Sequence, residues 1–274
     1  MRSGRTAARA RMRHVACAVL AGLVAGGIPA ARSAAQAPPA QTPIVIHRLL
    51  QSTTTLTGQP LEFPLTENQV TAVLLEAAPG RGTGNTTLFF PTIAYVIDGT
   101  FTLEIPGRAA STVSGGQAVV LPLRTPINGV NNGTSQARVL LVYFGRHERP
   151  LVEHGADVGR TGLKRTTVLR TLTTWTGEAI LFPLRANQVT ALIAEFAPGA
   201  VNPRHVHPPT QFVYVLEGLT SVEPTDHARG TFKPGDALVE TTIAHVGANR
   251  GSIRGRIFTV FAGEAGIPLT VPVP

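Results

Sequence analysis

The chain has 274 residues, which is enough for two domains of ordinary size. Its formal charge of +8 is uneven, because six arginines precede residue 36 whereas the first acidic residue is Glu62. Beyond residue 35, 18 basic residues face 16 acidic ones, so this part of the chain is nearly neutral. It lacks the basic excess of a nucleic-acid-binding protein, and no nucleic-acid partner is expected.

The first 35 residues have the three regions of a secretory signal peptide. A basic stretch ends at Arg13, an apolar run extends from Val15 to about Ile28, and Ser33-Ala34-Ala35 fits a small-x-small cleavage site. We expect cleavage after Ala35 and a secreted or periplasmic protein; the alternative is an uncleaved anchor. The apolar run is short and interrupted by glycines, and no other stretch is long enough, so the mature chain is predicted to have no membrane span.

An internal repeat organises the rest of the chain. The segment 63–72 (FPLTENQVTA) recurs as 182–191 (FPLRANQVTA), an offset of 119 residues, and 138–145 (RVLLVYFG) recurs as 256–263 (RIFTVFAG) at an offset of 118. A period of this length is the size of a domain, so the sequence predicts a duplicated domain rather than a solenoid.

Short apolar runs bounded by Gly, Pro, Asn or Asp follow the signal peptide, and no window has the pattern of an amphipathic helix. We predict a flexible lead-in over 36–48, a first domain over 49–145, a linker over 146–167 and a second domain over 168–274. Many short strands with Gly and Pro turns are typical of an all-β sandwich or barrel, and jelly rolls are among the stable solutions. Predicted strands include 93–97, 101–105, 118–121, 212–216 and 257–261.

Candidate metal ligands are concentrated in the second domain. His205 and His207 are two residues apart and therefore point to the same face of a strand. A third histidine, His245, follows the turn-like segment 233–236 (KPGD). A His-x-His pair alone fits packed or surface histidines as well as a metal site, whereas three histidines placed around these turns are more specific.

This arrangement resembles the cupin superfamily, whose first motif reads G-x5-HxH-x3-4-E-x6-G and whose second has a Gly-Asp turn, a histidine and an asparagine. The resemblance covers 168–263 strongly and 49–145 through the repeat, and the C-terminal half is similar to small cupin-2 proteins. It implies a bicupin, with two tandem cupin (jelly-roll) β-barrels and a divalent metal ion inside a barrel, usually iron, manganese, zinc, nickel or copper. For this chain we expect one ion of Fe, Mn or Zn. The matching residues are Gly199, His205, His207, Gln211, Gly218, Gly235, Asp236, His245 and Asn249.

The fourth ligand is ambiguous, because Gln211 occupies the place of the usual glutamate. A neutral amide is a weaker ligand than a carboxylate, and Glu240 is an alternative carboxylate five residues before His245. Strand alternation keeps Gln211 on the face of His207, whereas Glu240 faces inward only if a bend intervenes. We therefore predict a metal site of His205, His207, His245 and Gln211, with Glu240 as the alternative ligand.

The first domain has lost these residues. At the repeat offset, His205 corresponds to Thr86, His207 to Leu88 and Gln211 to Thr92, while His245 corresponds to Pro126 or Ile127. We predict one metal ion per chain, with a structural role for the first barrel; the alternative is a metal-free pocket for an organic ligand.

Two main functions fit this sequence. One is a metal-dependent enzyme of the dioxygenase type, in which the three histidines leave positions open for a small organic substrate. The other is a non-catalytic protein of the cell envelope that binds metal or a small ligand. An isomerase or lyase is a third possibility for which no base is evident. No residue is assigned a catalytic role, and the oligomeric state is left open.

Overall fold

The computed structural model describes residues 44–155 and 162–274. The predicted signal peptide, and with it Cys17 and the start of the lead-in, lies outside these ranges. The described residues form twenty β-strands and contain no α-helix. Accordingly, no helix in this part of the chain has the length and apolar character needed to cross a membrane.

Ten strands precede the gap and ten follow it. The first ten are β1 (Ile44–Ser52), β2 (Asn68–Ala77), β3 (Gly82–Leu88), β4 (Thr92–Asp98), β5 (Thr100–Glu104), β6 (Ser111–Ser114), β7 (Ala118–Val120), β8 (Pro126–Val130), β9 (Ala137–Arg146) and β10 (Val152–His154). The others are β11 (Leu163–Thr171), β12 (Asn187–Phe196), β13 (His205–Val206), β14 (Thr210–Glu217), β15 (Thr220–Pro224), β16 (Gly230–Phe232), β17 (Ala237–Val239), β18 (His245–Ala248), β19 (Gly255–Glu264) and β20 (Val271–Pro272).

Four antiparallel sheets of five strands each build two barrels. The first barrel consists of the sheets β11-β2-β9-β4-β7 and β10-β3-β8-β5-β6. The second consists of β1-β12-β19-β14-β17 and β16-β15-β18-β13-β20. The prediction of an all-β fold is confirmed.

The two repeats exchange their first strands. Strand β1 pairs with β12 of the second repeat, from Ile44 opposite Phe196 to Ser52 opposite Val189. Strand β11 pairs in the same way with β2 of the first repeat. The predicted lead-in and linker therefore need correction: residues 44–48 belong to β1, and both β10 and the start of β11 lie within 146–167. Each of these segments covers a sheet edge that would otherwise leave backbone groups unpaired.

The barrels pack through the apolar faces of the sheets that contain β2 and β12. Alternation along β2 places Val70 and Ala72 in this shared core and Leu75 in the interior of the first barrel. At the centre of the interface, Tyr95 and Phe258 stack with ring centroids 4.1 Å apart and an interplanar angle of 8°. Phe63 and Phe182, the equivalent residues of the two Phe-Pro-Leu segments, pack against each other with ring centroids 5.5 Å apart. Because side chains alternate along these strands, the residues between those of the shared core point into the interior of the two barrels.

Candidate metal centre

The three predicted histidines converge inside the second barrel. His205 on β13 lies directly opposite His245 on β18, and His207 follows β13 by one residue. One ligand nitrogen from each of the three lies within 4.8 Å of the others, and this is the only such group of metal-binding side chains among the described residues. His205 and His245 are buried, with 4% and 0% of their surfaces exposed, while His207 is partly exposed.

Backbone carbonyls fix the orientation of all three rings. His205 Nδ1 lies 2.6 Å from the carbonyl oxygen of Pro203, His207 Nδ1 lies 2.8 Å from that of Leu269, and His245 Nδ1 lies 2.8 Å from that of Ile243. A carbonyl oxygen only accepts hydrogen bonds, so each Nδ1 carries the proton and donates. In a neutral ring, Nε2 then holds the lone pair, which is the arrangement that a metal-binding histidine needs.

The Nε2 atoms are spaced as ligands of one ion. His205 Nε2 and His207 Nε2 lie 3.1 Å apart. Two neutral rings with Nδ1 protonated cannot hydrogen-bond through these atoms, because both are acceptors. Two nitrogens about 2.1 Å from one metal ion and about 90° apart are separated by about 3.0 Å, so this spacing suits a shared cation.

Glu240 contributes a carboxylate beside this cluster. Its Oε1 lies 3.0 Å from His245 Nε2, and only 9% of its surface is exposed. The contact is close but is not directed as a hydrogen bond, so His245 Nε2 is a buried nitrogen with no hydrogen-bond partner. Alternation along β17 puts Leu238 in the core of the second barrel and Val239 in the shared core, so Glu240 faces the barrel interior. The bend at 242–243 then changes the phase before β18, and His245 faces inward as well.

The electrostatics of the site are those of a buried anion facing three imidazoles. Burial raises the pKa of Glu240, but the contact with His245 and the electrostatic influence of the histidine cluster outweigh it, and the pKa is lowered. Burial lowers the pKa of His245, but Glu240 reverses the effect and the pKa is raised. Burial lowers the pKa of His205 and lowers that of His207 to about 4. Glu240 is thus ionised near neutral pH, while His205 and His207 are neutral.

Gln211 lies on β14 and also faces the interior of the second barrel, next to Thr259. Its side-chain nitrogen donates to Thr259 Oγ1 at 3.0 Å, and that hydroxyl donates to the carbonyl of Phe212 at 2.8 Å. The side-chain oxygen of Gln211 is buried and has no hydrogen-bond partner. The backbone amide of Glu240 donates to the carbonyl of Gln211 at 2.8 Å, so the two candidate ligands lie on adjoining segments.

The C-terminal segment completes the site. Strand β20 pairs with β13, which brings the carbonyl of Leu269 to His207 and places Thr270 Oγ1 3.3 Å from the same Nδ1. Sequence reasoning missed Leu269, Pro203 and Ile243, because a backbone carbonyl leaves no mark in a motif.

A divalent metal ion fits these residues. Imidazole nitrogens and a carboxylate are ligands that suit Zn, Fe and Mn, and the negative charge of Glu240 offsets part of the charge of the ion. The orphaned Nε2 of His245 and the orphaned side-chain oxygen of Gln211 are both buried polar atoms that an ion or its bound water would satisfy.

Comparison with known proteins agrees with the two-barrel architecture. Residues 192–261 match the family model described as Cupin domain, and they contain all three histidines. The chain has a cupin domain in its second barrel and the fold of a bicupin. It is similar in fold to oxalate decarboxylase from Bacillus subtilis, with a TM-score of 0.53 and 17% identity over 83% of this chain and 76% of that one.

The bicupin fold is shared with a second solved structure, the coconut allergen cocosin. The TM-score is 0.54 with 13% identity, and the match covers 71% of this chain and 77% of that one. No curated protein matches the bicupin by sequence. At these identities the likeness shows the fold alone.

Proposed function

We propose that this bicupin is an exported, metal-dependent oxidoreductase of the dioxygenase type that acts on a small organic substrate. The observation that supports the proposal is the convergence of three imidazole rings whose Nδ1 atoms are fixed by backbone carbonyls. Rings held in this way need no rearrangement to bind a metal ion.

The roles of the residues follow from their positions. His205, His207 and His245 would hold the ion, and Glu240 would complete its shell or hold a proton beside it. When bound, a redox-active ion supplies a positive template for an oxygen-donor substrate and a route for electrons. The free side-chain oxygen of Gln211 faces the same barrel interior and would accept a hydrogen bond from a substrate or from water.

A chelating substrate suits the charge of the site. Three neutral imidazoles and one carboxylate leave a divalent ion with a net charge of about +1, which favours a ligand with one anionic oxygen and one neutral donor. Catechols, flavonols and diketones have this chemistry.

A second candidate is a metal-binding protein without catalysis. Within residues 44–155 and 162–274, no further histidine or carboxylate joins the three histidines in their group of ligand atoms, and this favours the second candidate. A reaction that needs a separate acid or base would have only Glu240 to supply it.

Oxygen uptake distinguishes the two. The purified chain, loaded in turn with Fe²⁺, Mn²⁺ and Zn²⁺, is mixed with a panel of catechols, flavonols and diketones. We expect uptake with a redox-active ion, none with Zn²⁺, and none in the His205→Ala, His207→Ala variant. The matched control is His47→Ala, His227→Ala, which removes two exposed histidines outside the cluster. Metal binding without uptake for any substrate would favour the non-catalytic protein.

Export is proposed from residues 1–35 alone. N-terminal sequencing of the protein secreted by a bacterial host is expected to begin at Gln36 or within a few residues of it. A protein that keeps Met1 in the inner membrane would contradict cleavage.

A further inference from the structure

The first barrel contains a cavity of about 430 Å³ where the second barrel has its metal ligands. Thr86 and Ile127 face each other across β3 and β8 as His205 and His245 do across β13 and β18. In this register the counterpart of His245 in the first repeat is Ile127 rather than Pro126. At the repeat offset, Leu88 corresponds to His207 and Leu121 to Glu240. All four counterparts line the cavity: Thr86, Leu88, Leu121 and Ile127. The position of the metal site has become an apolar pocket.

The wall of this cavity is apolar over most of its depth. Further wall residues that belong to the buried core of the first barrel are Leu75, Ala94, Phe101, Leu103 and Leu141. Polar groups interrupt them, among them two that face each other on neighbouring strands: Thr71, whose hydroxyl is buried without a hydrogen-bond partner, and Tyr143, which takes the place of Phe261. A pocket with apolar walls and a few polar groups of this size is typical of a small-molecule site.

Arginines gather at the mouth. Arg165 and Arg170 lie on β11 opposite Leu75 and Thr71, which line the cavity, and the irregularity of β11 between Thr167 and Leu169 keeps both on that side. Their repeat counterparts on β1, Ile46 and Gln51, are uncharged.

The charge at this mouth is net positive. Arg149 joins Arg165 and Arg170, and these three arginines face one lining carboxylate, Glu148, which lies 3.7 Å from His147. Within residues 44–155 and 162–274, none of the three arginines is within salt-bridge distance of a carboxylate. Free guanidinium groups beside an apolar pocket favour an anionic head group on the ligand.

We propose that the first barrel binds an amphipathic organic anion without metal, with an apolar body in the cavity and a carboxylate at Arg165 and Arg170. The site is built from both repeats, because β11 belongs to the second repeat and the cavity to the first. It is separate from the metal centre, and its test does not depend on metal binding.

Isothermal titration of the full chain with decanoate and with 1-decanol tests the proposal, since the two probes have the same apolar body and differ in the charged head. We expect one decanoate per chain, bound at least tenfold more tightly than 1-decanol. In the Arg165→Gln, Arg170→Gln variant, decanoate affinity should fall at least tenfold while 1-decanol affinity changes less than twofold. The matched control is Arg48→Gln, Arg229→Gln, which removes the same charge from exposed positions outside the cavity and should leave both affinities unchanged.

A cavity-filling change locates the ligand. Ala94 lines the cavity and is 3% exposed, so Ala94→Phe should abolish binding of both probes. A far-UV circular dichroism spectrum and a cooperative urea transition like those of wild type show that this variant is folded. The proposal is overturned if folded wild type binds neither probe, if decanoate and 1-decanol bind equally, or if folded Ala94→Phe binds decanoate as wild type does.

Discussion

Replacing Glu240 by glutamine tests how much the buried carboxylate beside the histidines contributes to metal affinity. The change keeps the shape of the side chain and removes its charge. If His245 Nε2 binds a metal ion at about 2.1 Å, Glu240 Oε1, which is 3.0 Å from that nitrogen, lies within about 5 Å of the ion. Unit charges about 4 Å apart attract by about 4 kcal/mol at an effective dielectric constant of 20, or about three powers of ten in a binding constant.

Desolvation of the carboxylate offsets part of that attraction, and partners of metal ligands commonly contribute about 10- to 100-fold. We therefore expect Glu240→Gln to weaken Zn²⁺ binding by about 100- to 1,000-fold. The assay is a competition titration of the metal-free chain against a chromophoric chelator at pH 7.5. The matched control is Glu223→Gln, a carboxylate of the same barrel whose partner is Arg250 at 2.8 Å on the surface.

Affinity of the Glu240→Gln variant within threefold of wild type would refute this role of Glu240. If Gln211→Ala strips the metal in the same assay, Gln211 is the fourth ligand, as its position in the cupin motif indicates. The two variants together thus decide a question that the motif alone leaves open.

Three further predictions concern the fold and its response to pH. Because the pKa of His245 is raised, its protonated form stabilises the metal-free chain below about pH 6.5, and this contribution is lost as the pH rises through the raised value. The melting temperatures of the metal-free chain at pH 6 and pH 9 should therefore differ more in wild type than in Glu240→Gln, and equal differences in the two proteins would contradict this role of His245. Phe258→Ala should lower the free energy of unfolding in urea by about 3–5 kcal/mol, because Phe258 is fully buried against Tyr95; the 74%-exposed Leu181 is the control, since Leu181→Ala should cost less than about 0.5 kcal/mol. Deleting β1 (Ile44–Ser52) should lower both the urea midpoint and the metal content, because the edge of β12 loses its partner; a variant that keeps both values would show that the exchanged strand is dispensable.

Much of the fold was predictable because the signals are local. Alternation along the strands and the Gly and Pro turns between them predicted the all-β class, and the internal repeat predicted two domains. The glycine of the cupin motif shows how local such a signal is: Gly218 has φ of +67°, and a Cβ atom there would lie 2.3 Å from the carbonyl oxygen of Arg254. A side chain at this position would be strained in both respects.

The strand exchange was not predictable from local sequence. Strands β1 and β11 have the same pattern of burial, and β2 and β12 offer them equivalent edges. The local pattern of a repeat therefore does not indicate which barrel its first strand joins. The domain boundaries drawn along the chain consequently divide each barrel's own strands.

The inward position of Glu240 was also not predicted from the sequence. Simple alternation counts residues along a continuous strand, whereas β17 ends at Val239 and a bend precedes β18. The contacts of the histidines with the carbonyls of Pro203, Ile243 and Leu269 could not be predicted either, because any residue provides a carbonyl. What fixes the tautomers of the histidines is therefore backbone geometry.

The metal content of the full chain is the most direct test of a single centre in the second barrel. Separate halves are unsuitable, because each would lack the strand that the other repeat supplies. We predict about one equivalent of divalent metal per wild-type chain and per His47→Ala, His227→Ala control, and none in a folded His205→Ala, His207→Ala variant. Metal retained by that last variant at the wild-type level, or no metal bound by wild type after loading, would contradict the assignment.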